Sequence, residues 1–113
     1  PPEEASEFAK TARAIGIDPR FDMAYNNRGI ARIGKGDAEN AIADFSQAIK
    51  LRPDHPEAYA NLGTAFMAGG ETDAAVAVYR QALAVAPAHY ESLVNLGMAL
   101  QDFLRLRAQA TGH

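Results

Sequence analysis

Apolar side chains recur along the chain with the spacing of amphipathic helices. Between residues 41 and 49 they follow the i, i+1, i+4, i+7, i+8 pattern of one helix face. These positions are Ala41, Ile42, Phe45, Ala48 and Ile49. A similar spacing in residues 22–33 is closed by a glycine-rich stretch, which is a helix-ending signal. The pattern predicts short helices joined by tight turns.

The helical pattern itself repeats. Pro19, Pro53 and Pro87 recur at intervals of 34 residues, and a fixed period of this size indicates a repeat architecture. Proline has no N–H and disfavours the α conformation of the preceding residue, so each one marks the end of a helix. Four further series keep the period: Asn27, Asn61 and Asn95; Gly29, Gly63 and Gly97; Ala14, Ala48 and Ala82; and Ile17, Leu51 and Val85.

A helix–turn–helix unit of 34 residues resembles the tetratricopeptide repeat. With Asp22 and Pro56 as first positions, the residues typical of the family fall on matching sites. They are the small residue at Gly29, Gly63 and Gly97, the alanine at Ala41 and Ala75, the aromatic residue at Phe45 and Tyr79, and a second alanine at Ala14, Ala48 and Ala82. The resemblance implies an all-α, right-handed solenoid of antiparallel helix hairpins with about six helices.

The register divides a single domain, residues 1–113, into two complete repeats at 22–55 and 56–89 with incomplete repeats at both ends. Residues 3–17 correspond to a second helix alone. Residues 90–110 are predicted to form one long helix, because Leu104 stands where a turn glycine is expected. An apolar stripe on this helix either packs on residues 72–85 or mediates self-association; it consists of Leu96, Leu100, Phe103 and Leu104.

Two arginines depart from the family pattern. Arg28 and Arg32 stand where the repeat usually has Leu and Tyr, and Glu7 replaces an expected alanine in the preceding segment. We predict that Glu7 pairs with one or both arginines. The alternative is that the arginine stems pack on the protein while their charged heads extend into solvent.

The resemblance implies that the first helix of each hairpin lines a concave groove. Asn27, Asn61 and Asn95 occupy the same position in each first helix, although asparagine is a mediocre helix former. A carboxamide can both donate to and accept from a peptide backbone, so the series predicts an Asn ladder that holds an extended peptide; the alternative is that it binds only water. The remaining predicted peptide-binding residues are Met23, Asn26, Ile30, Ile33, Glu57, Thr64, Met67, Glu91 and Met98.

This ladder is similar to that of O-linked N-acetylglucosamine transferases and kinesin light chains, in which Asn at this position clamps peptide backbone. A chaperone-binding subfamily instead uses Lys and Arg to hold a terminal carboxylate. Here the corresponding positions carry Asn26, Ile30, Glu91 and Asn95, without a cation. The expected partner is therefore a protein or peptide segment with apolar and some basic residues.

Composition narrows the function further. With 11 Lys and Arg against 14 Asp and Glu, the net charge of −3 disfavours nucleic acid and anionic membrane as partners. The chain has no cysteine, and His55 and His89 fall on loops between repeats, so no metal, cofactor or catalytic residue is expected. The sequence contains no recognisable catalytic motif. A cytoplasmic location is expected.

A binding module without enzymatic activity is the leading hypothesis. Two alternatives come from the same observations. The incomplete repeats at the ends could stack into a self-assembling scaffold, a homo-oligomer through its terminal helices. The chain could also be the substrate-recruiting segment of a larger enzyme such as a glycosyltransferase. It does not begin with Met, so we expect it to be cut from a longer protein.

Overall fold

The computed structural model describes residues 21–111. This part of the chain folds into five helices, which confirms the all-α prediction; the helix expected at residues 3–17 lies outside the described residues. The helices are α1 (Phe21–Gly34), α2 (Ala38–Leu51), α3 (Pro56–Ala68), α4 (Thr72–Val85) and α5 (Tyr90–Ala110).

The turns inside the two hairpins have the same geometry. Gly36 and Gly70 have φ values of 79° and 78°, in the left-handed region that glycine adopts without steric cost. After each glycine, a backbone N–H donates back to a carbonyl of the last helical turn, from Asp37 to Arg32 (2.9 Å) and from Glu71 to Phe66 (2.8 Å). This closed C-cap ends the helix and reverses the chain.

Proline sets the junctions between repeats. Arg52 and Ala86 precede Pro53 and Pro87 and have φ values of −144° and −140°, because the proline ring excludes the α conformation from the residue before it. The next repeat then begins with Pro56 in the first turn of α3, where its missing N–H has no cost. Each junction directs the chain from the second helix of one hairpin to the first helix of the next.

α5 continues where the other hairpins turn. Leu104 lies 34 residues after Gly70, and a leucine at a left-handed φ would be strained. The helix therefore passes through this position and extends to Ala110, over 21 residues in total. Its last turns project beyond the length of α3.

The helices form two layers with different spacing. α1, α3 and α5 pack side by side, and each hairpin partner packs against its neighbours. Within residues 21–111, α2 and α4 do not contact each other. The layer of α1, α3 and α5 is therefore the inner, concave one, and α2 and α4 are spread on the convex side.

An aromatic ring seated on a glycine holds each hairpin together. A Cβ atom on Gly29 would lie 2.6 Å from the ring of Phe45, and one on Gly63 would lie 2.5 Å from the ring of Tyr79. Both rings are buried, at 1% and 2% exposure. Gly97 occupies the same position in α5. Apart from its chain neighbours and the backbone of its own helix, no described atom lies within 4 Å of its Cβ position.

Gly63 and Gly97 predict opposite effects of the same substitution. Gly63→Ala should lower the free energy of unfolding by about 1–3 kcal/mol, because the added methyl group would force the buried ring of Tyr79 to shift. Gly97→Ala should instead raise it by up to about 1 kcal/mol, since the site is open and alanine is the better helix former. Urea unfolding of both variants measures the difference, and equal effects of the two would contradict this packing.

Candidate functional site

The inner face carries most of the predicted peptide-binding side chains at its surface. Met23, Ile30 and Met98 are 57%, 50% and 62% exposed, although all three are apolar. Asn27, Glu57, Thr64 and Glu91 are exposed as well, and Asn26, Asn61 and Asn95 are half-buried. The inner face thus presents apolar side chains interspersed with amides and carboxylates.

Two asparagines join neighbouring repeats across this face. Asn61 Nδ2 in α3 donates to Asn26 Oδ1 in α1 at 3.0 Å. Each carboxamide has two N–H donors and one acceptor oxygen, so the pair retains three N–H groups and the oxygen of Asn61. Within residues 21–111 these groups have no other hydrogen-bond partner. The sequence placed both residues in the groove but did not predict their bond.

Thr64 is more constrained than its exposure indicates. Its Oγ1 donates to the carbonyl of Ala60 at 3.1 Å and lies 3.1 Å from the hydroxyl of Tyr79. A hydroxyl has one proton, so Tyr79 is the donor of the second bond. Burial also raises the pKa of Tyr79 above its ordinary value. Thr64 can therefore only accept a further hydrogen bond from a ligand.

Two predicted groove residues contribute partly to the core. Ile33 is half-buried against the cluster that contains Ala41, Phe45 and Leu62. Met67 is half-buried against the cluster of Ala75, Tyr79 and Ala99. Each presents only part of its side chain to the groove.

The central and C-terminal helices of the inner face carry acidic side chains. Glu57 and Glu91 are exposed on α3 and α5. Further along α5, Asp102 accepts a hydrogen bond from Arg105 and another from Thr72 Oγ1 at 3.1 Å. These bonds, that of Arg105 above all, lower the pKa of Asp102. A shallow cleft of about 460 Å³ beside them is lined by Met98, Gln101, Asp102 and Arg105.

Arg28 and Arg32 share a carboxylate that the repeat pattern did not predict. Asp44 of α2 is buried and accepts from Arg28 Nε at 3.0 Å, from a terminal nitrogen of Arg28 at 2.8 Å and from Arg32 at 2.9 Å. The hydrogen bond to Asp44 raises the pKa of Arg28, whose guanidinium also lies 5.4 Å from the ring centre of Tyr25. Glu7, the partner that we predicted, lies outside the described residues.

The repeat pattern is matched by a family model. The model described as Tetratricopeptide repeat covers residues 26–89 and 61–103, which together span more than half of the chain. The chain belongs to the tetratricopeptide repeat family. No curated protein sequence matches it.

Several solved tetratricopeptide repeat domains are similar in structure. The second such domain of human RPAP3, solved in complex with the HSP70 peptide SGPTIEEVD, has a TM-score of 0.68 and 24% identity over 81% of this chain and 74% of that one. The first domain of Spaghetti (RPAP3), bound to the HSP90 peptide SRMEEVD, has a TM-score of 0.75 and 16% identity over 80% and 74%. At these identities the likeness shows the fold alone.

A third similar structure comes from a longer protein. MamA has a TM-score of 0.70 and 24% identity, and the match covers 83% of this chain but only 63% of MamA.

Within residues 21–111, no helix combines the length and the apolar character needed to cross a bilayer.

The contribution of Asp44 and its two arginine partners to the stability of the fold can be measured. Asp44→Ala leaves two guanidinium groups without their shared carboxylate, so the free energy of unfolding should fall by about 1–3 kcal/mol. Urea unfolding at neutral pH measures the change. Ser46→Ala, at an exposed position of the same helix, is the control and should change stability by less than about 0.5 kcal/mol. An unchanged urea midpoint for Asp44→Ala would contradict a stabilising role.

Proposed function

We propose that the chain is a peptide-binding module without catalytic residues, and that its inner face holds an extended segment of a partner protein. The observation that carries the proposal is the bond between Asn26 and Asn61. It fixes two carboxamides at the seam between repeats and leaves donors and an acceptor available. Such a pair can bind the N–H and C=O groups of a peptide backbone without reading its side chains.

The spacing of the inner helices supports an extended ligand. Packed helices lie about 8–10 Å apart, and an extended chain advances about 3.3 Å per residue. The amides on α1, α3 and α5 would therefore meet about every third residue of a peptide that crosses the helices. Asn27, Asn61 and Asn95 form the proposed ladder, with Asn26 linked to its central member.

The apolar surface supports a partner with apolar side chains. Met23 and Ile30 are exposed at one end of the inner face, and Met98 at the other. Exposed apolar side chains on one surface are typical of an interaction site. Methionine adapts its unbranched side chain to different contacts, so this surface suits ligands of varied sequence.

The charges favour a different ligand class from the peptides in the similar structures. The peptides SGPTIEEVD and SRMEEVD each carry two glutamates and a terminal aspartate. The inner face here has Glu57 and Glu91 exposed, and none of its predicted peptide-binding residues is a lysine or arginine. Like charges would repel an acidic tail, so the proposed ligand combines apolar and basic residues.

Replacing the groove asparagines by alanine should lower the affinity for a bound peptide in graded steps. The test peptide is first selected by its binding to the parent protein on a peptide array. Asn61→Ala should weaken binding about two- to tenfold, because a lost hydrogen bond is worth about 0.5–1.5 kcal/mol. The loss of affinity should be larger for Asn61→Ala than for Asn27→Ala, since Asn61→Ala also removes the hydrogen-bond partner of Asn26. The triple Ala variant at Asn27, Asn61 and Asn95 should lose at least about tenfold.

Titration calorimetry measures these affinities. Gln81→Ala removes an exposed amide from the convex helix α4 and should leave the dissociation constant unchanged. A triple variant that binds as tightly as the parent would rule out clamping by the amides.

The exposed carboxylates of Glu57 and Glu91 predict a preference for positively charged peptides. Exchanging both Glu57 and Glu91 for Gln should lower the affinity for a basic peptide, by up to about fivefold for each removed charge at low salt. The exchange should also reduce the salt dependence of the binding. Glu39→Gln removes one exposed charge from the convex helix α2 and should have little effect. If the parent bound SRMEEVD more tightly than the basic peptide, the proposed ligand charge would be wrong.

A further inference from the structure

The two seams between the inner helices differ in one hydrogen bond. At the first seam, between α1 and α3, Asn61 donates to Asn26 at 3.0 Å. At the second seam, between α3 and α5, the 34-residue period places Asn95 in the position of Asn61 and Ala60 in the position of Asn26. Alanine has no hydrogen-bonding side chain, so the same bond cannot form. The protein closes its first seam with its own side chains and does not close the second in this way.

Asn95 keeps all of its hydrogen-bonding groups for a ligand. Its side chain is half-buried, and within residues 21–111 it makes no hydrogen bond. A carboxamide has one acceptor oxygen and two N–H donors. Polar groups that are partly removed from water are stabilised by a hydrogen-bond partner, so the second seam favours a ligand with polar groups at this point.

Thr64 supplies a second acceptor at the same seam. Its Oγ1 donates to the carbonyl of Ala60 at 3.1 Å, and Ala60 is the residue that the repeat places opposite Asn95. Because Tyr79 donates to Thr64 Oγ1 at 3.1 Å, this oxygen can only accept one further hydrogen bond. The equivalent residue at the first seam is Ile30, which has no acceptor.

Glu91 adds a negative charge on the α5 side of the seam. It precedes Asn95 by four residues, so the two side chains are neighbours on one face of the helix. Within the described part of the chain, the Glu91 carboxylate has no ion-pair or hydrogen-bond partner. Burial raises the pKa of Tyr79, and the charge of Glu91 adds to this rise. The carboxylate therefore lies near the hydroxyl that donates to Thr64.

These acceptors favour a cation with several N–H donors. A lysine ammonium has three donors and no acceptor, and it is compact enough to be shared among groups on separate residues. A ligand carboxylate would instead meet acceptors and a like charge. Met98 lies one turn beyond Asn95 and is 62% exposed, so the apolar stem of a lysine can pack on it while the charged end reaches the polar groups.

We propose that the second seam binds the side chain of one lysine of the peptide, with its ammonium between Thr64, Asn95 and Glu91. This inference rests on the proposed peptide binding and adds one position at which the ligand is recognised by its side chain. The two N–H groups of Asn95 remain available for the peptide backbone. The first seam lacks the acceptor of Thr64, because Ile30 stands in its place.

Substituted versions of the peptide selected on the array test the lysine. Each lysine in turn is exchanged for norleucine, which keeps an apolar stem and lacks the ammonium. At one position the exchange should lower the affinity at least about fivefold in titration calorimetry at 0.15 M salt, and exchange for Glu should lower it further. The NMR signals of the Asn95 side-chain amide should shift more with the lysine peptide than with the norleucine peptide.

Protein variants locate the ammonium through the ratio of the two affinities, lysine peptide to norleucine peptide. Thr64→Val removes the acceptor at nearly constant volume, and Glu91→Gln removes the charge; each should lower the ratio at least about threefold. Thr64→Ser keeps the hydroxyl and should restore most of the ratio. Glu57→Gln, the equivalent change at the first seam, should lower it less than Glu91→Gln does. Glu39→Gln on the convex helix α2 should not change it.

Unfolding by urea checks that Thr64→Val remains folded, since this variant leaves the Tyr79 hydroxyl without its acceptor. Glu91→Gln provides independent evidence, because Glu91 is exposed and its exchange does not disturb the core.

The results separate failure of the lysine site from failure of the groove. If no peptide binds, or if the triple Ala variant of the groove asparagines binds as tightly as the parent, both proposals are wrong. If peptides bind through the asparagines but contain no lysine, or lose no affinity when norleucine replaces each lysine, only the lysine site is wrong. An affinity ratio that survives both Thr64→Val and Glu91→Gln would also overturn it.

Discussion

The contact between an aromatic ring and a bare glycine backbone determines how closely the helices of each hairpin approach. Phe45 on Gly29 and Tyr79 on Gly63 leave no space for even one methyl group. Their close approach buries the alanines of the hairpins and places α3 and α4 at a fixed distance. Because Tyr79 also donates to Thr64, the same ring links the packing of the core to the surface of the groove.

The packing within the hairpins determines the positions of the inner helices. α1, α3 and α5 lie side by side while α2 and α4 stay apart, so the inner face is the concave side of the stack. Here the distance between Asn26 and Asn61 is short enough for a hydrogen bond of 3.0 Å. The core thus sets the positions of polar groups that contribute little to it themselves.

The repeat period predicted the helices, their turns and the run of α5 through Leu104, because each depends on local backbone preference at glycine and proline. The predicted peptide-binding residues all fall on α1, α3 and α5, and their role in binding remains a prediction. The period could not predict the Asn26–Asn61 bond or the role of Asp44, since both depend on the offset between helices that are distant in sequence. The repeat pattern marks the two arginines as unusual, but it does not identify Asp44 of α2 as the carboxylate that they share.

Leu104 has a consequence for how a stack of this kind can change its length. A repeat array grows by duplication of whole hairpins, and each added hairpin requires a residue with left-handed φ at its turn. A glycine at position 104 would permit the left-handed φ of a turn there. A packed hairpin would still require the buried alanines and the aromatic ring that α2 and α4 supply, so turn and core must be inherited together.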